Sequence, residues 1–247
     1  MKRSLLLILA ALAISAPLAR ATGIGWGNTA FDPMKMYDSG GDLLDNSFSF
    51  ELGTWATGFT PTAANVAAWA SNWKVISTAF APDVNGWVSL DANDPGVNDP
   101  NQNIQYFSRS ITFNANGTVQ GGGPSIFTTN EQAYIWVFNT KNVTPGSEWA
   151  LVTDSSIGAT PDDVWRVPDP SGVLNQPVLW NLETADTAIF GSVNGIVGAG
   201  DQSVDPGPNR LQTFNPVSVV PEPGSALLVL LAGMAVRLRR RPRFSPQ

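Results

Sequence analysis

The apolar residues of this chain come in short runs bounded by glycine, proline and asparagine, and that rhythm limits what it can build. Residues 47–52, 73–77, 86–90, 110–113, 133–139 and 148–153 either alternate apolar with polar or are uniformly apolar. Runs this short suit strands better than buried helices, which need about 10 residues or more. Turn signals stand between them, among them Asn116-Gly117, Gly121-Gly122-Gly123-Pro124, Thr144-Pro145-Gly146 and Asp169-Pro170-Ser171-Gly172. The pattern predicts a mainly β body, an antiparallel β-sandwich or jelly-roll-like fold, in one domain spanning residues 22–219.

One short amphipathic helix is expected within it. Thr62 is placed to cap residues 63–72, where Val66, Trp69, Ala70 and Trp73 recur at helical spacing. That stripe reads as core. The nine tryptophans, Trp26, Trp55, Trp69, Trp73, Trp87, Trp136, Trp149, Trp165 and Trp180, also read chiefly as core, although exposed indole faces would suit sugar stacking.

Two residue types are missing, and each absence removes chemistry. Without cysteine there is no disulfide or thiolate site, so packing alone must hold the fold. Without histidine there is no Ser-His-Asp hydrolysis and no imidazole metal site. Carboxylate, lysine and tyrosine chemistry remain open.

The ends of the chain differ from the middle. Lys2-Arg3, an apolar run over 5–14 and small residues Ala19 and Ala21 at −3 and −1 of a cut after Ala21 make residues 1–21 a secretory signal peptide. At the other end, Pro221-Glu222-Pro223 precedes an apolar stretch over 224–236, then Arg237, Arg239, Arg240, Arg241 and Arg243. The flanking prolines force an extended peptide, and the Leu/Ala-rich stretch favours helix. Residues 223–238 would rise only about 24 Å as helix against a hydrocarbon core of about 30 Å, a marginal span. The terminal arginines would stay cytoplasmic and leave the body outside. With both ends set aside, the body carries 6 cations against 19 acids, a net charge of −13. Such a body repels nucleic acid and anionic lipid.

The motif, the short helix and the arginine cluster, in this order behind a signal peptide, resemble the PEP-CTERM sorting domain of bacterial surface proteins, over residues 220–247. The resemblance implies that an exosortase-type membrane protease recognises Pro221, Glu222 and Pro223 and cuts nearby. The tail would be a transient inner-membrane anchor, and the released body would reach the cell surface or an extracellular polysaccharide matrix. The chemistry would belong to the processing enzyme.

Within the body, Asp91, Asn93, Asp94 and Asp99 gather side-chain oxygens in a loop where calcium is conceivable, although Pro95 and the lack of a twelfth-position glutamate break the EF-hand pattern. Asx-turn chemistry explains the same loop, and no other metal or cofactor is expected. Glu51, Glu131 and Glu148 are the candidates for a carboxylate-based glycan hydrolase, but nothing in their spacing places two across a cleft. The glycine clusters at 23–27 and 195–200 lack the context of a nucleotide-binding turn. The favoured reading is a non-enzymatic surface or matrix protein whose body contacts polysaccharide or other surface proteins. A glycan hydrolase and a calcium-stabilised carbohydrate-binding module are the alternatives.

Overall fold

The computed structural model describes residues 22–28, 34–45, 47–80, 87–90, 104–156, 164–169, 178–200 and 207–219. Each of the six expected runs contributes a strand. Four of them, β3 (Ser49–Trp55), β4 (Trp73–Phe80), β7 (Tyr134–Phe138) and β8 (Trp149–Thr153), join β10 (Thr187–Phe190) in an antiparallel sheet of order β10-β8-β7-β3-β4. Side chains alternate between two apolar layers along these strands. Ile135 and Val137 of β7, Ala150 and Val152 of β8, and Phe50 and Leu52 of β3 enter one core. Trp136 and Phe138, Trp149 and Leu151, and Trp55 enter the other. A sheet covered on both faces has little polar side to alternate with, which is why its central strands β7 and β8 read as nearly continuous apolar runs.

The first core lies between this central sheet and a second sheet of order β5-β6-β1-β9, made of β1 (Thr22–Gly27), β5 (Trp87–Leu90), β6 (Ile104–Phe113) and β9 (Val178–Asn181). Phe50 meets Phe107 across the layers with ring centroids 4.6 Å apart. In β1, Ile24 and Trp26 enter the core and glycines hold the alternate positions. Gly27 has φ +147°, and a Cβ there would come within 2.1 Å of the Phe107 carbonyl oxygen, so backbone passes backbone where no side chain fits. A small third sheet, of order β12-β11-β13-β2, adds Met36, Val193 and Leu211 to the same core. Its strands are β2 (Lys35–Tyr37), β11 (Ser192–Val193), β12 (Ile196–Val197) and β13 (Arg210–Gln212).

Two features depart from the expectation. The pairs β1–β9 and β13–β2 run parallel within otherwise antiparallel sheets. Parallel neighbours need a long crossover instead of a tight hairpin, and each pair joins segments far apart in sequence. The expected helix is a 3₁₀ segment, Ala63–Ala68, followed by a single α-turn, Trp69–Asn72. Asn65 leaves helical geometry at φ −120°, and its carboxamide oxygen accepts from both the Thr62 amide (2.8 Å) and the Trp69 indole (2.9 Å). Val66 and Trp69 face inward, whereas Ala70 is exposed and Trp73 begins β4.

This segment covers the second core. Trp69 stacks on Trp149 at 5.5 Å and 22°, and meets Trp55, Trp136 and Phe190 edge-on. Trp55, Trp69, Trp73, Trp136 and Trp149 thus form one cluster, while Trp26, Trp165 and Trp180 belong to the first core. The side chain of Trp87 lies outside the described residues.

Among the described residues no helix is long and apolar enough to cross a membrane. The signal peptide with Ala19 and Ala21, the motif Pro221-Glu222-Pro223, the apolar stretch and the arginines from Arg237 to Arg243 all lie outside them.

Candidate functional site

The three glutamates that could drive glycan hydrolysis serve three separate places. Glu51, buried on β3, accepts from the Trp73 indole at 2.8 Å and pairs with the Lys141 ammonium at 2.6 Å. That ammonium also lies 5.1 Å from the Phe138 ring centre and 5.6 Å from that of Trp136, a cationic cap on the tryptophan cluster. Glu148 accepts from the amide and hydroxyl of Ser39 and from the Thr213 hydroxyl, which ties the turn after β2 to the segment after β13. Glu131 pairs with Lys74 at 2.7 Å and accepts from the Thr128 amide at 3.0 Å. The structure does not bring these carboxylates into a shared cleft. Among the described residues no three acidic side chains gather as a metal-holding group, and the loop carrying Asp91, Asn93, Asp94 and Asp99 lies outside those residues.

Glu131 does line a cleft of about 430 Å³, within the range of about 300–1,000 Å³ that small-ligand sites occupy. One wall is aromatic. Trp55 sits behind it, with Phe59 at 5.1 Å and Tyr134 at 6.2 Å between ring centres. Trp55 is 5% exposed, and both outer rings are half-buried. The strands β3 and β7 fix Trp55 and Tyr134, while the turn at Gly58, φ +82°, brings Phe59 back over Trp55.

The opposite wall is the loop 128–132, and it is pinned from behind. The Asn130 amide donates to the Val167 carbonyl (2.8 Å), the Val167 amide to the Glu131 carbonyl (2.9 Å) and the Glu131 amide to the Thr128 carbonyl (3.0 Å). The Gln132 side-chain amide reaches the Thr153 hydroxyl and the carbonyls of Asp154 and Trp165. Asn130 is held at φ +67°, a left-handed conformation that asparagine tolerates better than most residues. Its carboxamide and the hydroxyls of Thr57, Thr128 and Thr129 are exposed and take no partner from the described residues. The Tyr134 hydroxyl has no such partner either. Burial pushes the Tyr134 phenol up from its ordinary value, against a smaller opposing pull from Arg166, so it is neutral and able to donate at pH 7.

Sequence reasoning named Glu131 in a different role and placed Tyr134 in a core-like strand. Phe59, the loop conformation and the cleft itself were not foreseen. The only available signal was the density of Thr, Asn and Gln just before a strand, which also marks any turn.

A second groove, about 830 Å³, separates the edge strand β4 from β6. Arg109 crosses it, donating from Nε and an Nη to the Thr78 carbonyl at 3.1 and 3.0 Å. Away from both, the Asp186 carboxylate is partly desolvated, which works to raise its pKa. Hydrogen bonds from Ser155, Ser156 and Thr187 outweigh this and hold it at about 2. It fastens the segment after β8 to the start of β10.

No protein-family model, curated protein or solved structure matches this chain.

Proposed function

We propose that this is an exported, non-enzymatic component of a bacterial cell surface or extracellular matrix, delivered by its C-terminal sorting tail. The observation that carries the reading is the order of elements in the sequence: leader, acidic body, Pro221-Glu222-Pro223, short apolar stretch and arginine cluster. An exosortase-type enzyme would recognise the motif, and the apolar stretch would hold the chain in the inner membrane only until cleavage. A net charge of −13 suits a body that must be soluble once released. The body is a sandwich-type module in this reading, with an adhesive, structural or polysaccharide-associated role. The separate engagement of Glu51, Glu131 and Glu148 supports a binding rather than a hydrolytic role.

The test is replacement of Pro221, Glu222 and Pro223 by alanine in the host cell. The expected result is a mature protein heavier by the retained tail, held in the inner-membrane fraction. An unchanged mature mass and surface yield overturn the sorting role. Turnover of a polysaccharide by the purified chain, abolished by Glu131→Gln, overturns the non-enzymatic role.

A further inference from the structure

We infer that the cleft between the Phe59–Trp55–Tyr134 wall and the loop 128–132 is a subsite for an uncharged glycan. The inference rests on the reading of the body as a matrix component and names the ligand class that its cleft takes. A pyranose ring has an apolar face of C–H groups and a rim of hydroxyls that both donate and accept. The cleft offers the counterpart of each: half-buried rings on one side, and on the other hydroxyls and a carboxamide with no partner among the described residues. The Tyr134 hydroxyl belongs to both sets. Stacked on the ring wall, a sugar would bring its rim hydroxyls to Tyr134, Thr57, Thr129 and Asn130.

Charge decides between neutral and acidic glycans. A uronate or sulfated sugar needs a cation on the cleft wall, and no lysine or arginine lines this cleft. Behind the wall, Lys74 is neutralised by Glu131, and Arg166 is turned to the back of the loop, where it donates to the Asn130 carbonyl at 3.3 Å. The acidic body, at −13, would repel a polyanion.

Backbone pairing decides against an extended peptide. Peptides that add to a sheet need an unpaired strand edge. Trp55 is paired with Trp73 and Tyr134 with Gly53, on the interior strands β3 and β7. The ladder between those strands ends at Gly53–Tyr134, which leaves only Thr54 and Trp55 of β3 open on that side, too short an edge for a strand to add along. The loop is already fixed by its own hydrogen bonds, so a sugar would meet a formed site and little ordering cost.

Isothermal titration of the full chain tests this, with cellohexaose, mannohexaose and chitohexaose as neutral probes and hexagalacturonate as the acidic one. At least one neutral hexaose should bind saturably, with hexagalacturonate weaker by about tenfold or more. Phe59→Ala, which removes one ring face, should weaken neutral binding about tenfold, and Phe59→Trp should retain it. Asn130→Gly keeps the left-handed backbone and removes only the carboxamide, so its melting temperature should hold while binding falls. Failure of all three neutral probes, equal binding of the acidic one, or full affinity in both Phe59→Ala and Asn130→Gly overturns the assignment. A chain that is correctly sorted and binds no hexaose removes this site and leaves the sorting role standing. A chain that is missorted yet binds in a Phe59-dependent way does the reverse.

Discussion

Replacing Trp69 with alanine empties the centre of the second core. The indole is fully buried, stacked on Trp149, edge-on to Trp55, Trp136 and Phe190, and hydrogen-bonded to Asn65. Truncating a buried tryptophan to alanine typically costs about 3–5 kcal/mol, and the aromatic pairs put this one in the upper half, about 4–5 kcal/mol. Asn65 retains the Thr62 amide, so no further loss arises from a stranded acceptor. At about 2–4 °C per kcal/mol for a body of this size, the melting temperature should fall by roughly 8–20 °C. The loss should also be local. The Ala63–Asn72 segment is anchored by Val66 and Trp69, so hydrogen exchange there should rise well before exchange in β7 and β8. Calorimetry with exchange mass spectrometry reads both effects. A cost under about 1 kcal/mol, or simultaneous loss of protection in β7 and β8, refutes the idea that one ring holds the cover on.

Glu51→Gln leaves the Lys141 ammonium without its anion, and should cost about 1–3 kcal/mol, less than a deeply buried pair because Lys141 is 30% exposed. In a Lys141→Met background the same change should cost less in urea melts, and equal costs would show the pair to be uncoupled. Asp186 has a folded pKa of about 2 against an ordinary 3.8, so its stabilisation is present above about pH 4 and drains away as pH falls toward 2. Asp186→Asn should therefore melt below the parent protein at pH 6 and converge with it near pH 2; parallel curves across that range contradict the assignment. Arg109→Ala uncovers the Thr78 carbonyl on the edge strand β4 and should raise light scattering on storage, since open edges recruit other strands. Scattering equal to that of the parent would show that the edge is protected by other means.

What the sequence disclosed follows from how far each element depends on distant partners. The strands β7 and β8 were legible because both faces of the central sheet are buried there, which leaves nearly uninterrupted apolar letters, and β3 and β4 because short apolar runs such as Phe48-Ser49-Phe50-Glu51-Leu52 keep a strand rhythm. Only the last residues of β6 were foreseen, and β1 was hidden because its alternate positions are glycine, a composition that resembles a loop. The strands β9 to β13 are two to four residues long, and apart from the tight hairpin of β11 and β12 they owe their pairing to partners far along the chain, as with Arg210–Gln212 beside Lys35–Tyr37. The capped segment after Thr62 was placed correctly but mistaken in kind. Its hydrophobic spacing is helical, yet the Asn65 side chain competes for backbone groups and bends the first turn out of α geometry. The cleft was illegible for a similar reason. Phe59, Tyr134 and Asn130 become neighbours only because β3 and β7 pair and the loop before β7 is pinned to Val167.

The first and last described strands, β1 and β13, are interior strands of their sheets: β1 lies between β6 and β9, and β13 between β11 and β2. Tension drawn through either end of this body would therefore fall on strands clamped along both flanks. Each of these strands has one parallel and one antiparallel neighbour, so a pull along its axis loads two ladders of hydrogen bonds together instead of unzipping one bond at a time. A body tethered by one end in moving fluid would gain mechanical resistance from that placement alone. Its resistance to being pulled open would be set by the sheets that hold its first and last described strands and, after β13, by the paired backbone bonds of Phe214 and Trp149 at the tryptophan cluster.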